Sequence, residues 1–270
     1  THSLDTLLTY PDTPNLGELM KLDGEQEDDS EEEDGGEILD DFVAYIKVDG
    51  AITYKPVMGM CGEVRGCSYK GLLESVEDAI EEGAQCIVMD FSTPGGQATH
   101  AFEFAEEIRK LCTDNSVEMI AYVDEMACSA GYLLACICDE VIANPDAVVG
   151  SIGAVVALTD VSEAMKQAGI KRIFITSGTA KVPYDEDGAF KSDFIEKVQS
   201  EVDMLNTKFT NHVSKYTGLS TETIGGLNAD SFNAEEALSI GLINSIQTQS
   251  EFAAYLAAKC NKKKLGASNA

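Results

Sequence analysis

Two short stretches of this sequence hold residue types that could react together. Ser129 follows an apolar run, Met119 to Val123, and a polar turn. It heads a small, apolar segment, Ala130-Gly131-Tyr132-Leu133-Leu134-Ala135, that reads as a helix. A helix N-terminus gathers free backbone N–H groups and the positive end of the dipole. Such groups can receive a developing oxyanion. A serine there is either a nucleophile or an N-cap, a role serine fills well. Ser92-Thr93-Pro94-Gly95-Gly96 repeats the arrangement, since it follows a buried strand and opens a helix. Its glycines let a backbone approach a ligand closely. Each stretch alone also reads as an ordinary strand-to-helix turn. Together they would frame an oxyanion hole with Ser129 between them.

A nucleophilic serine needs a base. The chain has three histidines. His2 lies in the N-terminal region, His212 falls on the polar side of a long helix, and His100 lies near the glycine turn. The other known partner of a serine nucleophile is lysine. Lys181 sits in Thr176-Ser177-Gly178-Thr179-Ala180-Lys181-Val182-Pro183, just after a strand predicted at Lys171 to Thr176. Strand ends are where the active-site groups of an open parallel sheet collect. Residue types alone leave both His100 and Lys181 open. Gly150-Ser151-Ile152-Gly153 lacks the dinucleotide-binding spacing, and Ser177 to Lys181 lacks that of a P-loop. The cysteines and histidines show no zinc spacing, so neither metal nor cofactor is expected.

The elements that must position these residues alternate. Phe42 to Val48, Cys86 to Phe91, Met119 to Val123, Glu140 to Ala143 and Leu242 to Ile246 read as strands. Leu72, Leu73, Val76, Ala79 and Ile80 keep helical spacing, as do Ala101, Phe104, Ala105, Ile108 and Leu111. A short helix covers Ser162 to Gln167 and stops at Gly169. Phe190, Phe194, Val198, Val202, Leu205, Phe209 and Val213 mark one face of a long helix running to Gly218, and Asn233 caps a last helix that Gly241 ends. Strands alternating with helices predict an α/β fold with a largely parallel sheet.

Composition narrows the function. A chain of 270 residues with 44% hydrophobic residues can bury a sizeable core. The net charge of −28 argues against nucleic acid and against anionic membranes. No apolar run is long enough to span a bilayer, and no signal peptide is recognisable. The eight cysteines mostly sit in apolar runs, so a reducing, cytoplasmic setting is expected. Residues 1–41 hold an acidic tract, Glu25 to Asp34, and are expected to be disordered. A folded domain is expected over 42–247 and a C-terminal tail over 248–270, loose from Lys259 onward.

From Phe42 to Ile246 the sequence resembles the signal peptide peptidase A family of serine–lysine peptidases, related in fold to ClpP and the crotonases. The matching pieces are Asp49-Gly50-Ala51-Ile52, the Ser-x-Pro-Gly-Gly turn at 92–96, Ser129-Ala130-Gly131-Tyr132, Val149 to Gly153, the Ser-Gly-x-x-Lys segment at 177–181, and Ala237 to Ile246. Tyr122-Val123-Asp124, Lys181-Val182 and Ser68-Tyr69 are similar to the phage branch, the head maturation proteases. Pro183 to Phe190 departs from that branch's Asp-Gly-Asn-Pro-Phe.

The resemblance implies a ClpP/crotonase-like fold and an endopeptidase without cofactor. It implies Ser129 as nucleophile, Lys181 as general base, Ser151 orienting the lysine, and the amides of Gly95 and Ala130 as the oxyanion hole. Gly96 and Gly131 would meet the substrate backbone. It further implies a homo-oligomer, polypeptide substrates such as scaffold or capsid proteins, and action in the host cytoplasm or the assembling virion. Two other enzyme classes fit less well: a bacterial peptidase of signal peptides or membrane-protein fragments, and a crotonase-like acyl-CoA enzyme. A non-catalytic assembly protein on the same fold is the third alternative.

Overall fold

The computed structural model describes residues 43–58 and 64–267. The acidic tract, Phe42, His2 and Cys61 lie outside the described residues. In chain order the elements are β1 (Val43–Asp49), β2 (Ile52–Thr53), β3 (Val57–Met58), β4 (Val64–Arg65), β5 (Cys67–Ser68), α1 (Tyr69–Glu81), β6 (Cys86–Thr93) and α2 (Ala101–Asp114). Then follow β7 (Glu118–Cys128), α3 (Ala130–Ala135), β8 (Glu140–Ala143), β9 (Val148–Gly150) and α4 (Ser162–Gln167). A single 3₁₀ turn (Thr179–Lys181), α5 (Ser192–Thr217), α6 (Thr221–Gly226), β10 (Ser231–Asn233), α7 (Ala234–Ile240), β11 (Ser245–Ile246) and α8 (Gln249–Ala267) complete it.

The main sheet has seven strands in the order β1-β6-β7-β8-β11, with β9 beside β7 and β10 beside β9. All its pairings are parallel except that of β10 with β9. Parallel strands are buried on both faces, which explains the continuous apolar runs of β6 and β7. One face packs against α1, α2 and α3 through residues such as Val76, Ile108, Met89 and Leu134. On the other face, Val88, Ile120 and Tyr122 meet Phe252 and Leu256 of α8. Tyr122 stacks on Phe252 at 4.4 Å. Residues 249–267, within the C-terminal tail set off from the domain in the sequence, are a helix with the Phe252 and Leu256 side chains buried against the sheet.

The departure that shapes the site is in β7. Its Ile120 to Val123 pair with β8, but Met126 to Cys128 pair with β9. On its other side Phe91 pairs with Val123 and Ser92 with Met126, so Asp124 and Glu125 are extra residues. This bulge lets β7 change partner and carry Ser129 past the sheet. The Ser92 hydroxyl donates to Glu125 at 2.8 Å across it. The apolar run stops at Val123, because paired carboxylates do not look like strand.

The strand predicted at Lys171 to Thr176 does not form in the single chain. Ile173 and Ile175 are 78% and 97% exposed there, because no neighbouring strand among the described residues offers them an edge or a face. Only the C-terminal end of α5 enters the core, through Phe209, His212 and Val213. Upstream, Phe194, Val198, Val202 and Leu205 are half-buried. No helix among the described residues is long and apolar enough to cross a membrane.

Candidate active site

Ser129 stands where β7 gives way to α3. Its carbonyl accepts from the Leu133 amide at 3.0 Å and so starts the helix. Its hydroxyl makes no capping bond. The backbone there has φ 52° and ψ −121°, a conformation that costs a non-glycine residue about 1–3 kcal/mol. The N-cap alternative therefore fails: the residue has a cap's place without a cap's geometry. Without a capping bond, the hydroxyl is left available.

Ser129 opens onto a cleft of about 630 Å³. Ala130, Ser151 and Gly96 line it beside Ser129, while Phe102, Leu133, Leu205 and Phe209 give it apolar walls. Ser151 is held by two strands: its amide donates to Asp230 O at 2.7 Å, beside the β9–β10 pairing. It too has a positive φ, 50°.

The glycine turn packs directly on the serine turn. A Cβ on Gly95 would lie 2.8 Å from Ser129 Cβ and 3.0 Å from the Ala130 nitrogen, at a φ of 103°. The Gly95 amide donates to Thr93 Oγ1 at 3.1 Å, and that hydroxyl donates to Gly50 O at 2.6 Å. Gly96 bridges Ile52 in parallel, with Ile52 bonding to the residues on either side of it. In such a bridge the N–H and C=O of Gly96 face away from Ile52. Gly131 is turned from the cleft towards β6, where a Cβ would lie 2.5 Å from Thr93 Cγ2.

Lys181 ends the 3₁₀ turn and is exposed, and it does not line the cleft within one chain. Of the apolar residues that could desolvate it, Ile152 is buried, Ala154 and Val182 are half-buried and Ala180 is exposed, and the Lys181 side chain itself stays exposed in the single chain. His100 is held elsewhere: it stacks on Tyr54 at 4.3 Å, and Nδ1 lies 2.8 Å from Glu103. His212, expected on a polar face, is buried instead. Its Nε2 donates to Leu133 O in α3 at 3.1 Å, and its ring lies edge-on to Phe102 at 5.6 Å. Burial, the largest influence, holds its pKa below the usual imidazole value. Periodicity misplaced it because α5 packs on both α2 and α3 at this turn, which widens the buried face.

Two participants escaped the sequence reading. Thr93 was one letter of a turn motif, yet its buried hydroxyl ties the Gly95 amide to Gly50. Phe102 gave no signal beyond its place next to the helix face that includes Ala101 and Phe104. Among the described residues no cluster of three or more His, Cys, Asp or Glu is placed to hold a metal.

Sequence comparison places the chain in a family. The profile described as peptidase family S49 matches residues 113–263, a span that takes in Ser129, Ser151 and Lys181. Over 83% of its length the chain is 27% identical to the Head-tail preconnector protein GP5 of Enterobacteria phage P21, covering 44% of that protein. Over 76% it is 29% identical to Capsid assembly protease C of Escherichia phage lambda, covering 46%. Over 72% it is 23% identical to the Probable protease SohB of Haemophilus influenzae, covering 55%. The chain thus spans about half the length of these curated relatives. With a parallel α/β sheet, two packed strand-to-helix turns and a profile match across more than half its residues, the chain belongs to peptidase family S49.

Proposed function

We propose that this chain is a serine endopeptidase working through a serine–lysine pair, and that it cuts scaffold or other head proteins during phage capsid assembly, in the host cytoplasm or the assembling virion. The observation that carries the reading is the Ser129 hydroxyl, uncapped on a strained turn at the mouth of the cleft. The capsid setting is taken from the named phage relatives.

In this reading Ser129 Oγ attacks the scissile carbonyl carbon and its proton passes to the Lys181 amine. The amine hands that proton to the leaving nitrogen as the peptide bond breaks. Water then hydrolyses the acyl-serine ester, with the same amine as base. The oxyanion forms at the head of α3, against the amide of Ala130 and that of Gly95, which shares its proton with Thr93 Oγ1. Ser151 orients the lysine amine. Gly96 meets the extended substrate backbone, and Gly131 supports it by letting α3 close on β6.

A lysine with a free pKa of about 10.4 acts as a base near neutrality only when desolvated. The exposed Lys181, and the outward Val155, Ile173 and Ile175 on the preceding segment, support a homo-oligomer in which another copy covers this region. Lys181 of one copy then serves Ser129 of the next. The test mixes two inactive proteins, Ser129→Ala and Lys181→Ala, and measures cleavage of co-expressed capsid and scaffold proteins by mapping new termini. Restored cleavage on mixing supports the shared site. An active monomer by light scattering overturns it.

A further inference from the structure

The residues around Lys181 include a second lysine that the mechanism above does not use. Lys191 Nζ donates to Thr179 O at 2.9 Å and to Val182 O at 2.8 Å. These two carbonyls bracket Lys181. A 3₁₀ turn this short leaves its carbonyls without helical partners. An ammonium group has three donors and makes charge-assisted bonds, so one side chain can hold both.

The return path of the chain makes that grip specific. The Lys191 amide donates to Pro183 O at 2.9 Å. Between them, Tyr184 and Phe190 pair antiparallel with their rings 4.9 Å apart. The Asp185 amide donates to Ala189 O at 2.9 Å, and Asp185 Oδ1 accepts from the amides of Asp187 and Ala189, both at 3.0 Å. Residues 183–191 therefore form a closed hairpin that brings Lys191 back onto the Lys181 turn. Lys191 is also the residue that leads into α5, whose other end is anchored in the core by Phe209, His212 and Val213.

We infer that Lys191 is a positioning residue for Lys181: its ammonium clamps the backbone on both sides of the base and ties that turn to α5. The inference rests on the serine–lysine reading and adds a residue to it.

The test uses the full-length protein with fluorescein-labelled casein, or a mapped head-protein substrate if casein is not cut. Lys191→Met keeps the aliphatic stem and removes the donors, whereas Lys191→Arg keeps donors. Misplacing a reacting group by about 1 Å costs up to about a hundredfold in rate. Lys191→Met is expected to lower kcat by about tenfold or more with KM little changed, and to move the pH of half-maximal rate upward. Lys191→Arg is expected to restore most of both. Melting temperatures of the two variants should match, since both carbonyls can take water at this surface. Wild-type kcat and pH profile in Lys191→Met, or equal losses in Lys191→Met and Lys191→Arg, overturn the inference. Wild-type activity in Lys181→Ala overturns the dyad itself. Loss in Lys181→Ala with an unaffected Lys191→Met leaves the dyad standing and removes only the clamp.

Discussion

The amide of Ser129 donates to the carbonyl of Gly150 at 2.9 Å. The proposed nucleophile and Ser151 are thereby locked to one another by backbone, through the pairing of the end of β7 with β9. Neither residue depends on a flexible loop. The strain at Ser129 is held by this ladder, as a preorganised site requires.

Replacing Ser129 tests reactivity and strain separately. Ser129→Ala should abolish cleavage and leave the fold intact, because only the hydroxyl is removed. Ser129→Gly should be equally inactive, yet at least as stable as Ser129→Ala, because glycine accepts a φ of 52° without the penalty of about 1–3 kcal/mol. Thermal unfolding of the pair checks this. A markedly less stable Ser129→Gly would mean that the turn is not strained.

Gly96 should tolerate no side chain at all. A Cβ there would lie 1.9 Å from Ile52 O, and backbone cannot give way as a flexible side chain can. Gly96→Ala should destabilise the protein by about 2–4 kcal/mol or shift β2 out of place, with loss of activity in either case. Chemical denaturation measures the first effect. Gly178→Ala, which meets nothing within 4 Å, is the control expected to be near neutral.

Asp90 should make stability fall as pH rises. Burial raises its pKa to about 6, Asp124 and Asp49 add to the rise, and Lys47 opposes it. A folded pKa above the unfolded value means that the native state holds the proton more tightly. The contribution is full below about pH 4 and is lost as pH climbs through 6. Asp90→Asn should therefore raise stability at pH 7.5 by about 1–2 kcal/mol, allowing for screening by water, with no gain at pH 4. Melting curves at the two pH values decide it. An equal effect at both would assign the gain to something other than titration.

Local signals in the chain specify the α/β alternation, the buried β6 and β7, the capped helix from Asn233 to Gly241, and the two turns that carry Ser129 and Gly95-Gly96. These are local: apolar period, a capping asparagine and glycine punctuation act over a few residues, so one dimension suffices to read them. Features that depend on neighbours distant in the chain emerge only from the packed fold. Only the pairing of β7 with both β8 and β9 shows that Asp124 and Glu125 are a bulge inside one strand. Only packing against α3 shows that His212 is buried. The Lys171 to Thr176 segment reads as a strand but has no partner strand among the described residues, and a strand without an edge to join is not formed. Whether Ser129 capped a helix or stood free was likewise undecidable from residue type. The answer lay in the backbone angles at Ser129, whose amide is held by the Gly150 carbonyl 21 residues downstream.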